Sequence, residues 1–328
     1  MRERVQSGLV LRASALMAAL ACAVAVAACG DSGGGGAKGE PATIKVGVIP
    51  IADVAPLYLG IKQGFFKAEK LTIKPQPAEG GAAIVAATVA GDDQIGFSNT
   101  TSLLIANSKN VPVKLIAQGV AGAAKESGAW DAVLVKKGSS ITSPKDLEGK
   151  TIAVNTLQNV GPLTINTALK NKGVDYKKVK YAEIPFPEAN QALETGRVDA
   201  AWVVEPFVGQ GLAAGSKPIL FPYEQTAPNL TVASYFTTKQ YLSQNGDAVD
   251  RFVKAMNKSL TYAQSHPDAV RKIVPTYTKI PASAATKMKL PQWSPDLGRP
   301  TIELQAKLAK EYGFLKEQPD IDALIRKQ

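Results

Sequence analysis

The sequence predicts an α/β protein with two lobes, and three observations support this prediction. The chain has 328 residues, and typical domains have about 150. Its 45% hydrophobic and 20% charged residues are the composition of an ordinary folded protein with a large core. From Thr43 onwards, short β-rich runs alternate with helical runs, which favours parallel sheets with helices on both faces.

The first αβ unit begins at Thr43. Runs rich in β-branched residues alternate with runs whose apolar residues recur at helical spacing. Strands are predicted over 43–48, 72–74, 94–97 and 113–118, and helices over 55–70, 80–90 and 100–107.

A second unit of similar size begins near Trp130. Ser143, Pro144 and Asp146 indicate a helix start, with Ser at the N-cap, Pro at the first helical position and an acid in the first turn. Further helices are predicted over 161–171 and 188–195. Strands are predicted over 131–136, 151–155, 179–184, 200–204 and 217–220.

After Phe221 the pattern becomes mainly helical, with a strand over 231–237 and helices over 248–264, 267–277, 282–288 and 301–312. A strand that follows the second unit predicts a return of the chain to the first lobe, and two crossings would form a hinge. We therefore expect residues 43–125 and 226–328 to form lobe 1, and residues 126–225 to form lobe 2.

The first 28 residues have the features of a secretory signal peptide. Arginines occupy positions 2, 4 and 12, and residues 15–28 are an unbroken apolar run that is short for a membrane span. The run ends in Val-Ala-Ala before Cys29, which resembles the lipobox of bacterial lipoproteins, where this cysteine carries the lipid. The alternative is an ordinary signal peptide cut after Ala28. Residues 29–42 contain four consecutive glycines and are expected to be a flexible tether.

The net charge of the chain and the distribution of its basic residues indicate which partners to expect. The chain carries 38 Lys and Arg and 28 Asp and Glu, a net charge of +10. Loss of residues 1–28 removes three Arg and one Glu, which lowers it to +8. The basic residues are scattered and not interleaved with aromatics, so we expect a positive surface near an anionic membrane and no nucleic-acid partner.

Cys22 would leave with the signal peptide, so the sequence cannot build a disulfide framework or a Cys-based zinc site. His266 is the only histidine, and its place before Pro267 and Asp268 favours a helix start or a surface position over a catalytic one. We expect no metal, no cofactor and no catalytic residue. The three tryptophans, Trp130, Trp202 and Trp293, are expected in the core or hinge, and Trp293 is also a candidate for a cleft wall.

Five short segments occur in order along the chain: 55–66 (APLYLGIKQGFF), the glycine pair at 80–81, 91–97 (GDDQIGF), 142–150 (TSPKDLEGK) and 196–206 (GRVDAAWVVEP). Together they resemble motifs of ABC-importer substrate-binding proteins of the nitrate, sulfonate and taurine group, which is related to the binding proteins for thiamine-pyrimidine precursors. The segment 91–97 departs from the family pattern, because Gln94 stands where the family has an acid.

This resemblance implies a type II periplasmic-binding-protein fold, a Venus flytrap whose two αβ lobes close over a ligand cleft. It implies a monomeric receptor, and the lipid anchor that the lipobox implies at Cys29 fits such a receptor on the extracytoplasmic face of the cell membrane. Its partners would be a small solute (sulfonate, taurine, nitrate or a related compound) and the transmembrane subunits of an ABC permease. Two alternatives remain: binding of a pyrimidine precursor, or an enzyme of the pyrimidine-synthase type, although the cysteine-rich iron motif of that enzyme is missing.

Ligands of open α/β sheets bind beyond the carboxyl ends of the strands, and this rule selects the candidate ligand-binding residues. Short polar side chains beyond two strands either cap the following helices or contact a ligand, and the two roles are compatible. Asp53 is either an N-cap or a partner for a ligand amine, Glu205 either packs the lobes or binds, and Phe186 either stacks on a flat ligand or joins the core. The complete set is Asp53, Ser98, Asn99, Thr100, Thr156, Asn159, Phe186 and Glu205.

These loops contain no arginine, which a desolvated sulfonate or nitrate usually recruits. Their composition suits a neutral, zwitterionic or amine-bearing solute. The helix N-termini could still hold an anion, so the ligand stays open among sulfonates, taurine, nitrate and pyrimidine-type solutes.

Overall fold

A computed structural model describes residues 39–327. The predicted signal peptide, the lipidation candidate Cys29 and the tether up to residue 38 lie outside the described residues. Within the described part, no helix is both long enough and apolar enough to cross a membrane.

Two five-stranded sheets organise the described chain, and the strands are numbered along the sequence. The first sheet contains β1 Ala42–Val48, β2 Leu71–Pro77, β3 Ile95–Asn99, β4 Val113–Ala121 and β10 Thr231–Thr238, in the order β2-β1-β3-β10-β4. The second contains β5 Asp131–Val135, β6 Thr151–Val154, β7 Lys180–Glu183, β8 Ala200–Val204 and β9 Lys217–Leu220, in the order β7-β6-β8-β5-β9. We call the parts built on these sheets the first lobe and the second lobe.

Both sheets are mixed, whereas the sequence predicted parallel sheets. Strand β10 runs antiparallel to β3 and β4, and β5 runs antiparallel to β8 and β9. Strand β5 is the first strand after the chain leaves the first sheet, and β10 is the first after it returns. Neither arrives through a βαβ crossover within its own sheet, so the geometry that makes such neighbours parallel does not apply to them.

Helices pack on both sheets, and they are α1 Ala55–Lys62, α2 Phe65–Ala68, α3 Gly81–Ala90, α4 Thr100–Ser108, α5 Val160–Asn171, α6 Phe186–Glu194, α7 Phe207–Ala213, α8 Pro222–Thr226, α9 Lys239–Gln244, α10 Gly246–Ser265, α11 Pro267–Ile273, α12 Ala282–Ala285, α13 Arg299–Glu311 and α14 Ile321–Leu324. Short 3₁₀ turns include Ala52–Val54, Pro144–Leu147 and Val274–Thr276.

Two predicted helices are interrupted. The helix predicted over 55–70 is divided at Gly64, whose φ of 74° lies in the left-handed region that favours glycine. The helix predicted over 267–277 ends at Ile273, because Pro275 in the following turn has no N–H to continue the hydrogen-bond ladder. The helix start expected at Pro206 is confirmed, because Pro206 is the N-cap of α7. The sequence did not predict α8, α9 and α14, which are too short to show a helical repeat.

The longest helix, α10, packs its apolar stripe against α1 and β4. Phe252, Met256 and Leu260 are buried on this stripe, as the spacing predicted. Gly60 in α1 permits the close approach, because a Cβ there would lie 2.0 Å from the Ser259 hydroxyl oxygen of α10. The first lobe thus has a rigid core that fixes the loops beyond β1 and β3.

Candidate functional site

A narrow cavity lies between the two lobes, at the carboxyl ends of their parallel strands. Its lining combines the segments after β1 and β6, the ends of β3 and β8, the first residues of α5, α6 and β10, and α8: Ile49, Ile51, Asp53, Phe97, Asn99, Asn155, Asn159, Val160, Phe186, Trp202, Val204, Tyr223, Val232 and Ala233. The centre of a water molecule can reach about 20 Å³ of it, which is room for roughly one water. We call this arrangement closed, because a larger solute enters only after the lobes separate or the side chains move.

A wider mouth adjoins the cavity and shares Ile49, Ile51 and Phe186 with it. Its volume is about 350 Å³, and the exposed side chains of Glu79, Glu188 and Lys279 lie at its rim. The mouth therefore lies between the same two lobes as the narrow cavity.

A larger groove of about 860 Å³ runs over the first lobe between the end of α4 and the 313–320 loop. It is lined by surface loops of one lobe, and none of its described side chains has a buried polar atom without a partner. We therefore place the candidate site in the narrow cavity, where both lobes and buried polar groups meet.

Asn99 and Asn159 face the cavity from opposite lobes and cap helices there. The Asn99 Oδ1 atom accepts a hydrogen bond of 2.9 Å from Ser102 N in α4 and one of 3.3 Å from Val160 N in α5 of the other lobe. The Asn159 Oδ1 atom accepts from Gly161 N at 2.9 Å. Both asparagines therefore combine the capping role with a place in the cavity lining.

Asp53 lines the cavity from the 3₁₀ turn Ala52–Val54, and its side chain caps no helix. Only 2% of the residue is exposed, and its Oδ1 atom has no hydrogen-bond partner. The turn is held firmly, because Trp293 Nε1 donates to the Asp53 carbonyl at 3.0 Å and Ala52 N donates to the Glu205 carbonyl at 3.0 Å. Burial raises the pKa of the Asp53 carboxyl to about 8, and the hydrogen bond from its own backbone opposes this only in part.

Aromatic rings form the wall of the second lobe. The Phe186 ring lies 5.5 Å from the Trp202 ring at 56° and 6.1 Å from the Phe207 ring at 19°. Phe186 thus packs in the core, which is one of the two interpretations offered by the sequence, and it also lines the cavity. Its stacking on a flat ligand stays a prediction. Trp202 is fixed because its Nε1 donates to Asp131 Oδ2 at 3.0 Å.

Four predicted residues do not line the cavity. Thr100 donates its hydroxyl to the Thr231 carbonyl, and Thr156 donates to the Asn155 carbonyl. Ser98 is buried within the first lobe, beside Gly81 of α3. The Glu205 carboxylate accepts from Gly209 N at 3.0 Å and from Lys289 N at 3.2 Å. Burial raises the pKa of Glu205 to about 7, and its contacts are those of lobe packing, one of the two roles offered for it.

Behind the aromatic wall, two buried carboxyl groups link the chain crossings between the lobes. Glu224 in α8 precedes the return to β10, and its Oε1 accepts from Ala123 N, just after β4, at 2.8 Å. Burial and the neighbouring Glu224 raise the pKa of Asp131 well above its usual range, and burial also raises the pKa of Glu224. Asp131 Oδ1 and Glu224 Oε2 have no hydrogen-bond partner among the described residues, and the raised pKa of each carboxyl favours its protonated form.

Asn155, Trp202 and Tyr223 line the cavity but were not predicted from the sequence. Asn155 accepts the Asn159 side-chain amide at 2.8 Å and so fixes that cap. Side-chain alternation could have identified Trp202, because it shares a face of β8 with Val204. Tyr223 has no comparable signal, since it reaches the cavity from the crossing between the lobes. His266 is exposed, away from the cavity lining, and its ring stacks at 3.9 Å on Tyr262.

The fold and the cavity define a two-lobed α/β protein with a cavity between its lobes. The family described as NMT1/THI5 like matches residues 51–270, which is more than half of the chain. The chain belongs to this family.

Individual relatives are binding proteins. The chain is 30% identical over 195 residues to the taurine-binding periplasmic protein of Escherichia coli (strain K12), which covers 58% of this chain and 57% of the relative. It is 22% identical over 225 residues to the formylaminopyrimidine-binding protein of Halalkalibacterium halodurans, covering 67% and 65%. The chain therefore matches less than two thirds of either relative's length.

The fold is similar to that of the alkanesulfonate-binding protein from Xanthomonas axonopodis pv. citri, whose structure holds MOPS. The TM-score is 0.72 at 16% identity, and the match covers 88% of this chain and 99% of the other. At this identity the likeness shows the shared fold, which agrees with the periplasmic-binding-protein fold expected from the sequence motifs.

Proposed function

We propose that this chain is an extracytoplasmic receptor that binds a small solute in the cleft between its lobes and delivers it to an ABC permease. The observation that carries the proposal is the cavity itself, which is lined from both lobes and crossed by the hydrogen bond from Val160 N to Asn99 Oδ1. Family membership and the binding function of both relatives support it. Closure of the lobes would present the loaded form to the permease.

The solute belongs to the range set by the relatives and the fold neighbours: taurine, other sulfonates, nitrate or an aminopyrimidine. Its test is a thermal-unfolding screen of the purified full chain with each solute at millimolar concentration. A solute that binds only the folded chain at a hundredfold excess over its Kd stabilises it by about 2.7 kcal/mol. A chain whose melting temperature responds to none of these solutes would contradict the receptor function.

We propose binding without chemical turnover, although an enzyme of the pyrimidine-synthase type remains the alternative on this fold. The carboxyl groups nearest the cavity other than Asp53 are engaged in contacts within the protein: Glu205 with Gly209 N and Lys289 N, and Asp131 with Trp202. Mass spectrometry of each stabilising solute after incubation with the chain tests this point. Recovery of the solute unchanged supports a receptor, and a product would establish an enzyme.

We further propose that residues 43–125 and 226–328 form one lobe and residues 126–225 the other, because β10 lies in the first sheet. The lipid on Cys29 would hold the receptor beside its permease on the extracytoplasmic face of the membrane. Cys29→Ser should move the protein from the membrane fraction to the soluble fraction, whereas the control Cys22→Ser should leave it with the membrane. Retention of Cys29→Ser in the membrane would contradict the lipid anchor.

A further inference from the structure

Acidic side chains, and not basic ones, lie at and next to the cavity. Four carboxyl groups are buried at or next to the cavity: Asp53, Asp131, Glu205 and Glu224 contribute them, and the pKa of each is raised by burial. No Lys, Arg or His is among the cavity-lining residues of the described chain. Lys279 at the rim of the mouth is exposed and is accompanied there by two exposed glutamates.

Asp53 differs from the other polar groups of the lining. The side-chain oxygens of Asn99, Asn155 and Asn159 already accept hydrogen bonds. Among the lining side chains of the described chain, Asp53 is the one with a buried oxygen, Oδ1, that has no partner. The ionised carboxylate only accepts hydrogen bonds, so the group that completes it is a donor, and a cationic donor also favours the ionised form against the effect of burial.

The position of this acceptor makes it a part of the site and not a defect of packing. The Asp53 turn is fixed by Trp293 Nε1, by the backbone bond between Ala52 and Glu205, and by the Tyr277 hydroxyl, which donates to the Ile51 carbonyl at 3.0 Å. These bonds hold the carboxylate in the lining although burial without a partner is unfavourable. The same lining contains the Phe186 and Trp202 rings, and aromatic rings attract cations to their faces.

We propose that the solute of this receptor carries a protonated amine or an amidine-like N–H group that donates to Asp53 Oδ1, and that Asp53 selects for this group. The inference rests on the proposed receptor function and narrows its solute class. A sulfonate or nitrate without a donor group would meet no basic side chain in the described lining, and it would face the buried carboxyl groups. Taurine and aminopyrimidines satisfy the requirement, whereas alkanesulfonates lacking an amine do not.

The test compares two pairs of solutes that differ in the donor group. Taurine is paired with isethionate, which has a hydroxyl in place of the ammonium, and 4-aminopyrimidine is paired with pyrimidine. Isothermal titration calorimetry of the purified full chain measures the four Kd values. We expect at least one amino compound to bind, and to bind at least tenfold more tightly than its partner.

The variant Asp53→Asn keeps the shape of the side chain and removes its charge. It should reduce the preference for the amino compound over its partner about tenfold, because hydrogen bonds to charged groups are stronger than those to neutral groups. The matched control is Asp92→Asn, since Asp92 is exposed beyond α3 and lies outside the cavity lining. Circular dichroism melting of both variants verifies that they fold, and the wild-type comparison of the pairs needs no variant.

Three results would overturn the inference: equal binding of the compound without the amine, an unchanged preference in Asp53→Asn, or binding of nitrate or ethanesulfonate while neither amino compound binds. Each of these leaves the receptor function intact. A chain that binds none of the six solutes fails both the inference and the receptor function, so the two failures are distinguishable.

Discussion

Replacing Asn99 by alanine removes the side-chain oxygen that links the two lobes, and it tests whether this link favours the closed form. Asn99 Oδ1 accepts from Ser102 N within its own lobe and from Val160 N across the cleft. Loss of the first bond removes the N-cap of α4, which costs about 1 kcal/mol of folding stability. Loss of the second leaves the Val160 N–H of the closed form without a partner, which costs that form about 1 kcal/mol more.

The two costs act on different equilibria. When the lobes part, water can reach the Val160 N–H, so the second cost falls on the closed form alone. We therefore expect Asn99→Ala to reduce the closed fraction about fivefold relative to the open form. Small-angle X-ray scattering would detect this as a larger radius of gyration without solute, and urea unfolding would measure the loss of the cap.

The control is Thr238→Ala, because Thr238 also caps a helix of the first lobe, accepting from Tyr241 N at 3.0 Å, and does not line the cavity. It should lose a similar folding stability and keep the wild-type radius of gyration. If both variants show the same radius, the bond between Asn99 and Val160 does not contribute to closure and the reasoning fails.

Gly161→Ala places a Cβ 2.6 Å from Trp202 Cζ3, so we expect overpacking to lower the free energy of unfolding by about 1–3 kcal/mol in urea and to change the tryptophan fluorescence. The control is Gly246→Ala, where the added Cβ meets nothing within 4 Å, and it should neither lower the stability nor change the fluorescence. Folding stability should also depend on pH. A carboxyl whose pKa is higher in the folded than in the unfolded chain contributes stability that is fully present below about pH 4. This stability is lost as the pH rises through the folded pKa, which is about 8 for Asp53. Asp53→Asn should flatten the decline in unfolding free energy between pH 4 and 8, measured by urea titrations, and Glu224→Gln should reduce the loss of stability as the pH rises above about 4. A slope equal to that of the wild type would show that the carboxyl ionises freely in the folded chain.

The rule that ligands bind beyond the carboxyl ends of strands located part of the cavity lining from the sequence. It needs only the positions of the strands, and the hydrophobic pattern of the sequence predicts those. It identified Asn99 and Asn159, and both cap the helices that follow their strands. It did not separate Asn99 from Ser98, although side chains alternate along a strand. Phe97 and Asn99 share the face of β3 that lines the cavity, so Ser98 points away from it.

Other features depend on how the two lobes meet, and local sequence carries little information on that. Tyr223 and Glu224 lie on a five-residue helix in the second crossing, which showed no helical repeat. The antiparallel direction of β5 and β10 likewise follows from chain crossings that link residues far apart in sequence. The contact of Glu205 with Lys289 N spans 84 residues, so the packing role of Glu205 could be offered as one of two interpretations but not chosen.

The unpaired oxygen of Asp53 gives a physical reason for solute binding and lobe closure to be coupled. In the closed arrangement this carboxyl is buried in a space with room for roughly one water, which is unfavourable by about 1–3 kcal/mol if it remains without a partner. In an open arrangement water would hydrate it. A solute that donates to Oδ1 removes the penalty from the closed form alone, and a ligand shifts such an equilibrium only by its differential affinity for the two forms. One unsatisfied acceptor in an otherwise satisfied lining can therefore make closure depend on the solute.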